Sequence, residues 1–419
     1  VIDEAVNEYG LDEEDVMNKG YKIYTALDQD YQKQLEATYQ NNALFPANAS
    51  DGAMVQSASV ALDPNTGGVQ ALVGRRGDHV FRGFSFATQM RRSPGSTIKP
   101  LSVYTPALEA GYKPSSVLKD EPQSYYDAHN FDGTYQGEVP MYQAVAQSLN
   151  LPAVWLLHEI GLQKGYDKAE EFGLPLAKSD KYYGLALGGL EKGVSPMIMA
   201  GAYSASANEG QMYTPHLITK IVDSTGAVII DNTNKKPKQV ISKETADEMT
   251  SMLLGTFSNG TAAAANPAGY TIAGKTGTTE TNFDATKAND QWMIGYTPDV
   301  VISTWMGFEE SSKLHYLEGT SGNVVGKVFK SAAEGILPYT SKTGFSVADA
   351  YATGGQVVAA DQVGNTGNSN GESGNWQDNL NQYGEQAKEG LKNFGDTVKE
   401  GVQGIGEAAK DLWRKYQGE

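Results

Sequence analysis

The sequence predicts an α+β fold, an antiparallel sheet covered by helices. Three observations carry this. Runs rich in β-formers occur early, at residues 55–75, and late, at residues 270–308. Between them, from Ser96 to about Asn208, the pattern is mostly helical and is punctuated by Gly and Pro. The late run holds three strand-like segments joined by short polar or Pro-containing links, as in an antiparallel meander.

The elements follow in order. Residues 1–19 read as an acidic, partly helical lead-in. The main body starts near "GYKIYTALD", where Tyr21, Ile23 and Thr25 alternate as in a short strand. Tyr31, Leu35 and Tyr39 then recur at helical spacing, with Asp28 or Asp30 as N-cap. In "VQSASVALDPNTGGVQALVGR", two β-rich runs flank the turn Asp63 to Gly68, a hairpin pattern. "HLITKIVDSTGAVIID" reads as a second hairpin around Ser224 to Gly226. "SKETADEMTSMLLGTF" is a strong helix, capped at Ser242, with Met249, Met252 and Leu253 on its apolar stripe. The closing meander comprises Tyr270 to Thr278, Gln291 to Pro298 and Val300 to Phe308.

Composition changes after residue 345. Residues 346–373 include "AADQVGNTGNSNGES" and read as a flexible linker. Residues 374–419 contain four units of eleven residues: "GNWQDNLNQYG", "EQAKEGLKNFG", "DTVKEGVQGIG" and "EAAKDLWRKYQ". Positions three, seven and ten are apolar throughout, from Trp376, Leu380 and Tyr383 to Ala409, Trp413 and Tyr416. A period of eleven gives about 3.67 residues per turn, so the stripe stays on one face of an α-helix. Gly390, Gly395, Gly401, Gly404 and Gly406 each weaken a free helix by about 1 kcal/mol. The tail is therefore expected to order fully only when bound. Its partner is either a membrane surface or protein.

Charge and composition exclude several classes. The 33 Lys and Arg against 50 Asp and Glu leave a net charge of −17, without the basic stripe of a nucleic-acid binder. No cysteine is present, which excludes disulfides and zinc–cysteine sites. No apolar run approaches the length of a membrane span. No HExxH or P-loop occurs, the five histidines are scattered, and "GFSFA" lacks the closing glycine of a nucleophile elbow.

One stretch stands out as chemistry. In "RRSPGSTIKP", a Pro-Gly bend precedes Ser96, and Lys99 follows three residues on. If a helix begins near Ser96, the two side chains share a face. Ser96 then stands at the positive end of the helix dipole, which favours a developing alkoxide. Lys99 accepts the serine proton only when neutral. A lysine ordinarily titrates near about 10.4, and burial plus a second cation both lower that value. Alone, S-x-x-K is weak, because serine at a helix start is usually only an N-cap. Two further triplets strengthen it: Ser148-Leu149-Asn150, and Lys275-Thr276-Gly277 followed by Thr278 on an expected strand. Gly277 would let a ligand approach the backbone closely. S-x-x-K, S-D-N and K-T-G in this order are the signature of class A β-lactamases and penicillin-binding proteins.

With these triplets, and with "GYKIYTALD", "LALGG", "GTAAAA" and "QWMIGYTPD", the chain resembles the transpeptidase region of class A, bifunctional penicillin-binding proteins over residues 1 to about 345. Leu149, where class A β-lactamases have Asp, leans away from a β-lactamase. The resemblance implies a serine penicillin-recognising (β-lactamase/transpeptidase-like) fold over residues 20–345. That fold has an antiparallel sheet of about five strands flanked by helices, plus an all-helical lobe. It also implies that residues 1–19 are the linker from an upstream anchor and glycosyltransferase domain that this chain does not contain, placing the protein at the outer face of the bacterial cytoplasmic membrane.

The implied activity is a D,D-transpeptidase acting on peptidoglycan stem peptides and acylated by β-lactams, with no cofactor and no metal. Ser96 is the implied nucleophile and Lys99 its base. Ser148 and Lys275 relay a proton to the leaving amine, and Asn150 holds the substrate amide and orients Lys99. Thr276, Gly277 and Thr278 bind substrate, with the two hydroxyls and Lys275 on its carboxylate. The backbone N–H groups of Ser96 and Thr278 form the oxyanion hole. Alternatives that share these triplets are a D,D-carboxypeptidase or β-lactamase, and a penicillin-sensing receptor that stays acylated. No carboxylate is obvious as a deacylating base: Glu138 suits a surface or capping role. Trp292 suits the core.

Overall fold

The structure is a computed structural model, and it describes residues 1–363. The four eleven-residue units, and residues 364–373 of the expected linker, lie outside the described residues.

The chain opens with two short helices, α1 (Ile2–Asn7) and α2 (Glu13–Asn18), the second capped by the Asp12 carboxylate on the Asp15 N–H. Strand β1 (Lys22–Thr25) leads into α3 (Gln29–Gln40), where Asp28 accepts from the N–H groups of Asp30 and Tyr31. The cap is thus Asp28 rather than Asp30. The expected hairpin forms as β2 (Gln56–Leu62) and β3 (Val69–Val73), with the Asp63 carboxylate holding the turn through the Asn65 N–H and the Thr66 hydroxyl.

The helical middle begins with a three-ten turn, Gly95–Ile98, followed by a wider π-turn, Pro100–Tyr104, and α4 (Thr105–Glu109). A small hairpin, β4 (Val117–Asp120) with β5 (Gly137–Pro140), interrupts the helices. Its four-residue strands are too short to show alternation in sequence. Then come α5 (Met141–Ala146), α6 (Leu151–Ile160), α7 (Leu162–Glu171) and α8 (Pro196–Ala207). Short β6 (Gln211–Met212) precedes the second expected hairpin, β7 (Ile218–Val222) with β8 (Val228–Asp231). Strand β7 also pairs with β1, and Ile218 and Ile221 pack on Ala5 and Val16 of the opening helices. After β9 (Lys238–Gln239), α9 (Lys243–Ser258) is capped by Ser242 on the Thr245 N–H.

The meander is β10 (Ala273–Glu280), β11 (Ala288–Tyr296) and β12 (Val301–Gly307). With the first hairpin it makes one five-stranded antiparallel sheet, ordered β10-β11-β12-β2-β3. The fold expected from the sequence is therefore the one observed. Alternation along β2 divides the interior in two. Ala58, Val60 and Leu62 face the larger core with Trp292, Trp305 and the helical lobe. Ala61 on the opposite face joins a core with Leu35 of α3 and Phe329 of α10 (Val325–Ile336). Both faces are covered, so all seven residues of β2 are buried.

Residues 346–363, assigned by composition to the start of a flexible linker, still pack on the body. Val347 and Ala350 are buried, Asp349 caps α11 (Ala350–Thr353), and Tyr351 meets Tyr142 edge to face. A bridge joins Val347 to Ala359 just before α12 (Ala360–Val363). A few apolar residues suffice to dock this stretch, and the Gly-, Asn- and Ser-rich composition is concentrated beyond it.

Candidate active site

The site is built on three walls. The first is the turn at Ser96. A three-ten turn eclipses residues i and i+3, so Ser96 and Lys99 are aligned more closely than on an α-helix. Gly95 has φ of +53°, and a Cβ there would lie 2.6 Å from the Thr278 carbonyl oxygen. Only glycine allows the turn to press this closely on β10. Tyr203 from α8 holds the turn by donating to the Thr97 carbonyl at 2.7 Å, and Trp292 donates from Nε1 to the Ser93 carbonyl at 2.9 Å. Trp292 is fully buried, in the core as its place on β11 suggested.

The second wall is the junction between α5 and α6. Ser148 sits at φ of +58°, a left-handed conformation that strains a non-glycine residue. This sharp reversal turns the carbonyls of Ser148 and Leu149 and the Asn150 amide oxygen onto one point. Lys99 Nζ donates to all three, at 2.7, 2.9 and 2.6 Å. Asn150 Nδ2 donates to the His129 carbonyl at 2.8 Å.

The third wall is β10. Lys275 Nζ donates to Ser148 Oγ at 2.6 Å and to the Thr276 carbonyl at 3.1 Å. The Thr276 hydroxyl pairs with that of Thr261 at 2.6 Å, and the Thr278 hydroxyl with that of Ser321 at 2.7 Å. A Cβ on Gly277 would meet the Pro94 carbonyl oxygen at 2.6 Å and Thr97 Cγ2 at 2.8 Å. Its missing side chain therefore admits the turn that carries Ser96, as well as facing the cleft.

Ser96, Ser148, Asn150, Thr276, Gly277 and Thr278 line one cleft of about 810 Å³. Lys99 and Lys275 are fully buried beneath it. All eight sequence-predicted residues thus converge, although Ser96 and Lys275 lie far apart in the chain. Burial and the nearby Lys275 push Lys99 well below the usual lysine range, and burial brings Lys275 down to about 7. Three acceptors around Lys99 Nζ oppose that shift, because an ammonium can fill all three and a neutral amine only two. Desolvation of a fully enclosed amine and repulsion from Lys275 outweigh them. The oxyanion-hole expectation has a geometric basis as well. Ser96 lies at the start of the turn, where N–H groups precede the repeating helix bonds, and Gly95 beside it packs against the Thr278 backbone.

Two residues of the site escaped the sequence reading. Asn130 is buried, and its Oδ1 accepts from the N–H groups of Asn150 and Leu151 at 2.8 and 3.2 Å, capping the start of α6. Its Nδ2 donates to the buried carboxylate of Asp120 at 2.7 Å and to the Thr134 carbonyl at 2.9 Å. Asp120 also accepts from the Gln136 N–H at 2.8 Å. A buried acid at the end of β4 thereby fixes an amide that fixes the backbone around Lys99. Ser321 is the second, in the loop after residue 318. Both lie in loops without periodicity, so only the turn residues around Asn130 hinted at structure there. Glu138 lies on β5 with an exposed side chain, away from the cleft lining.

Known proteins resemble this arrangement. The family model described as "Penicillin binding protein transpeptidase domain" matches residues 57–334. "Penicillin-binding protein 2a" of Streptococcus pneumoniae is 49% identical over 366 residues, which are 86% of this chain and 50% of that protein. "Penicillin-binding protein 1F" of Bacillus subtilis is 39% identical over 349 residues, 82% of this chain and 47% of that protein. The chain spans about half the length of these relatives. The solved structure of PonA1 from Mycobacterium tuberculosis in complex with penicillin V superposes with a TM-score of 0.70 at 26% identity, covering 83% of this chain and 94% of that one.

Proposed function

The chain belongs to the family of penicillin-binding protein transpeptidases, and from that premise we propose that it is a D,D-transpeptidase that cross-links peptidoglycan stem peptides and is acylated by β-lactams at Ser96. The observation that carries the reading is the pair of fully buried lysines under one cleft, one bonded to Asn150 and the other to the Ser148 hydroxyl.

Ser96 Oγ attacks the carbonyl between two terminal D-alanines and passes its proton to the neutral Lys99 amine. The negative charge that develops on the carbonyl oxygen falls to the Ser96 and Thr278 N–H groups. Ser148 Oγ accepts from Lys275, so its own proton is free for the leaving amine. The C–N bond breaks, D-alanine departs, and the stem remains as an ester on Ser96. An amine of a second stem then attacks the ester, losing its proton back through the same groups, and Ser96 regains its hydrogen. Lys275, Thr276 and Thr278 take the terminal carboxylate. Penicillin's own carboxylate and strained amide fit the same places, as suits the complex known for PonA1.

Rapid release of a penicilloyl ester to water, as in a β-lactamase, would be helped by a carboxylate poised over the ester. The buried Asp120, which also lines the cleft, is committed to Asn130 and Gln136, which argues against β-lactamase turnover; transpeptidase and carboxypeptidase are separated by the acceptor, amine or water. Placement of the protein at the outer face of the bacterial cytoplasmic membrane belongs to the same proposal. Among the described residues no helix is long and apolar enough to cross a membrane.

The test is labelling with a fluorescent penicillin, followed by a stem-peptide thioester with an amino-acid acceptor. Wild-type protein should be labelled and should form the aminolysis product. Label that persists in Ser96→Ala would overturn the nucleophile, and hydrolysis alone would favour a carboxypeptidase.

A further inference from the structure

We infer that Ser321 is a positioning residue that holds the Thr278 hydroxyl proton away from the cleft, so that capture of a carboxylate must first break the Thr278–Ser321 hydrogen bond. This rests on the function proposed above and adds a determinant of affinity that the three triplets do not contain.

Ser321 Oγ lies 2.6 Å from the Gly277 carbonyl oxygen and 2.7 Å from Thr278 Oγ1. A carbonyl oxygen can only accept, and a serine hydroxyl has one proton to give. Two oxygens at 2.6 Å with no proton between them repel, so the Ser321 proton belongs to Gly277. Thr278 must then donate to Ser321. Ser321 is almost fully buried, so no bulk water competes for these positions.

The half-buried Thr278 hydroxyl therefore shows the cleft only its lone pairs. A carboxylate arriving there meets an acceptor. It binds once the Thr278 O–H turns from Ser321 to the anion, exchanging a neutral hydrogen bond for a charge-assisted one. Thr276 differs, because its partner Thr261 can take either role. Ser321 thus makes Thr278 the reluctant half of the carboxylate clamp and raises the dissociation constant of the first, non-covalent complex.

The experiment separates that constant from the acylation rate constant by stopped-flow with penicillin. Ser321→Ala should lower the dissociation constant about fivefold, the equivalent of one neutral hydrogen bond no longer broken, with the effect falling on binding rather than on the acylation step. In a Thr278→Val background the same substitution should have no effect on it. Ser321→Thr keeps the hydroxyl and should keep the wild-type value. Should the alanine variant fail to fold, Ser321→Cys replaces a strong acceptor with a weak one and should shift the constant the same way. A constant that is unchanged or raised in Ser321→Ala, or a shift that survives Thr278→Val, overturns the inference alone. Absence of wild-type acylation overturns the proposed function, and the inference with it.

Discussion

Asn130 shows how a site depends on a buried side chain outside the three triplets. Its amide caps α6 and is itself held by a buried carboxylate, so Asn130→Ala leaves Asp120 short of a donor and two N–H groups unpaired. Stability should fall by roughly 2 kcal/mol, measured by urea unfolding. The second-order acylation constant should fall about tenfold as the Ser148–Asn150 backbone relaxes. Lys275 makes a prediction of a different kind. Its folded pKa is about 7, against about 10.4 in an unfolded chain. Between those values the unfolded state binds more protons than the native state, so stability rises with pH across that window. Below about 7 the contribution of Lys275 is flat. Lys275→Met should remove much of the rise, with Lys99 supplying the rest, in unfolding midpoints compared at pH 6.5 and 9.5.

Among the elements, the contact between the Ser96 turn and β10 has the least slack. Gly277→Ala would place a methyl 2.6 Å from the Pro94 oxygen, and neither backbone can retreat without moving Ser96 or Lys275. Overpacking of this kind costs on the order of 1–3 kcal/mol. Penicillin acylation should drop by more than tenfold while the far-ultraviolet circular dichroism stays native. The elements that sequence discloses are those with local causes. Ser242 before an apolar stripe marks α9, and three short alternating runs mark the meander. The triplets Ser96–Lys99, Ser148–Asn150 and Lys275–Gly277 were legible because each is compact along the chain. What stayed hidden depends on contacts between distant segments. The three-ten and π turns around Lys99 follow from packing against Tyr203 and β10, and the roles of Asn130 and Ser321 follow from residues 20 and 43 or 44 positions away. The docking of residues 346–363 was hidden for the same reason, since composition registers flexibility but not a nearby surface ready to receive Val347 and Ala350.

Across the whole molecule, the charge of −17 works against an anionic ligand. Among the described residues the cleft lining includes Asp132 and Glu280 and no lysine or arginine, while both cations lie beneath the floor. The second-order acylation constant for an anionic penicillin should therefore increase with ionic strength, by about two- to threefold between 20 and 200 mM salt. A decrease would mean that Lys99 and Lys275 govern the approach. Strand β10 is outermost in its sheet, with β11 on one side and the cleft on the other. An extended peptide laid along that free margin would be gripped by its amides, as a sixth strand is, with its side chains pointing up and down out of the plane. Recognition of that sort reads the chain and its terminus more than the residues along it. On the proposed reading, stems of varied composition would then be accepted, with strictness kept for the end that is cut.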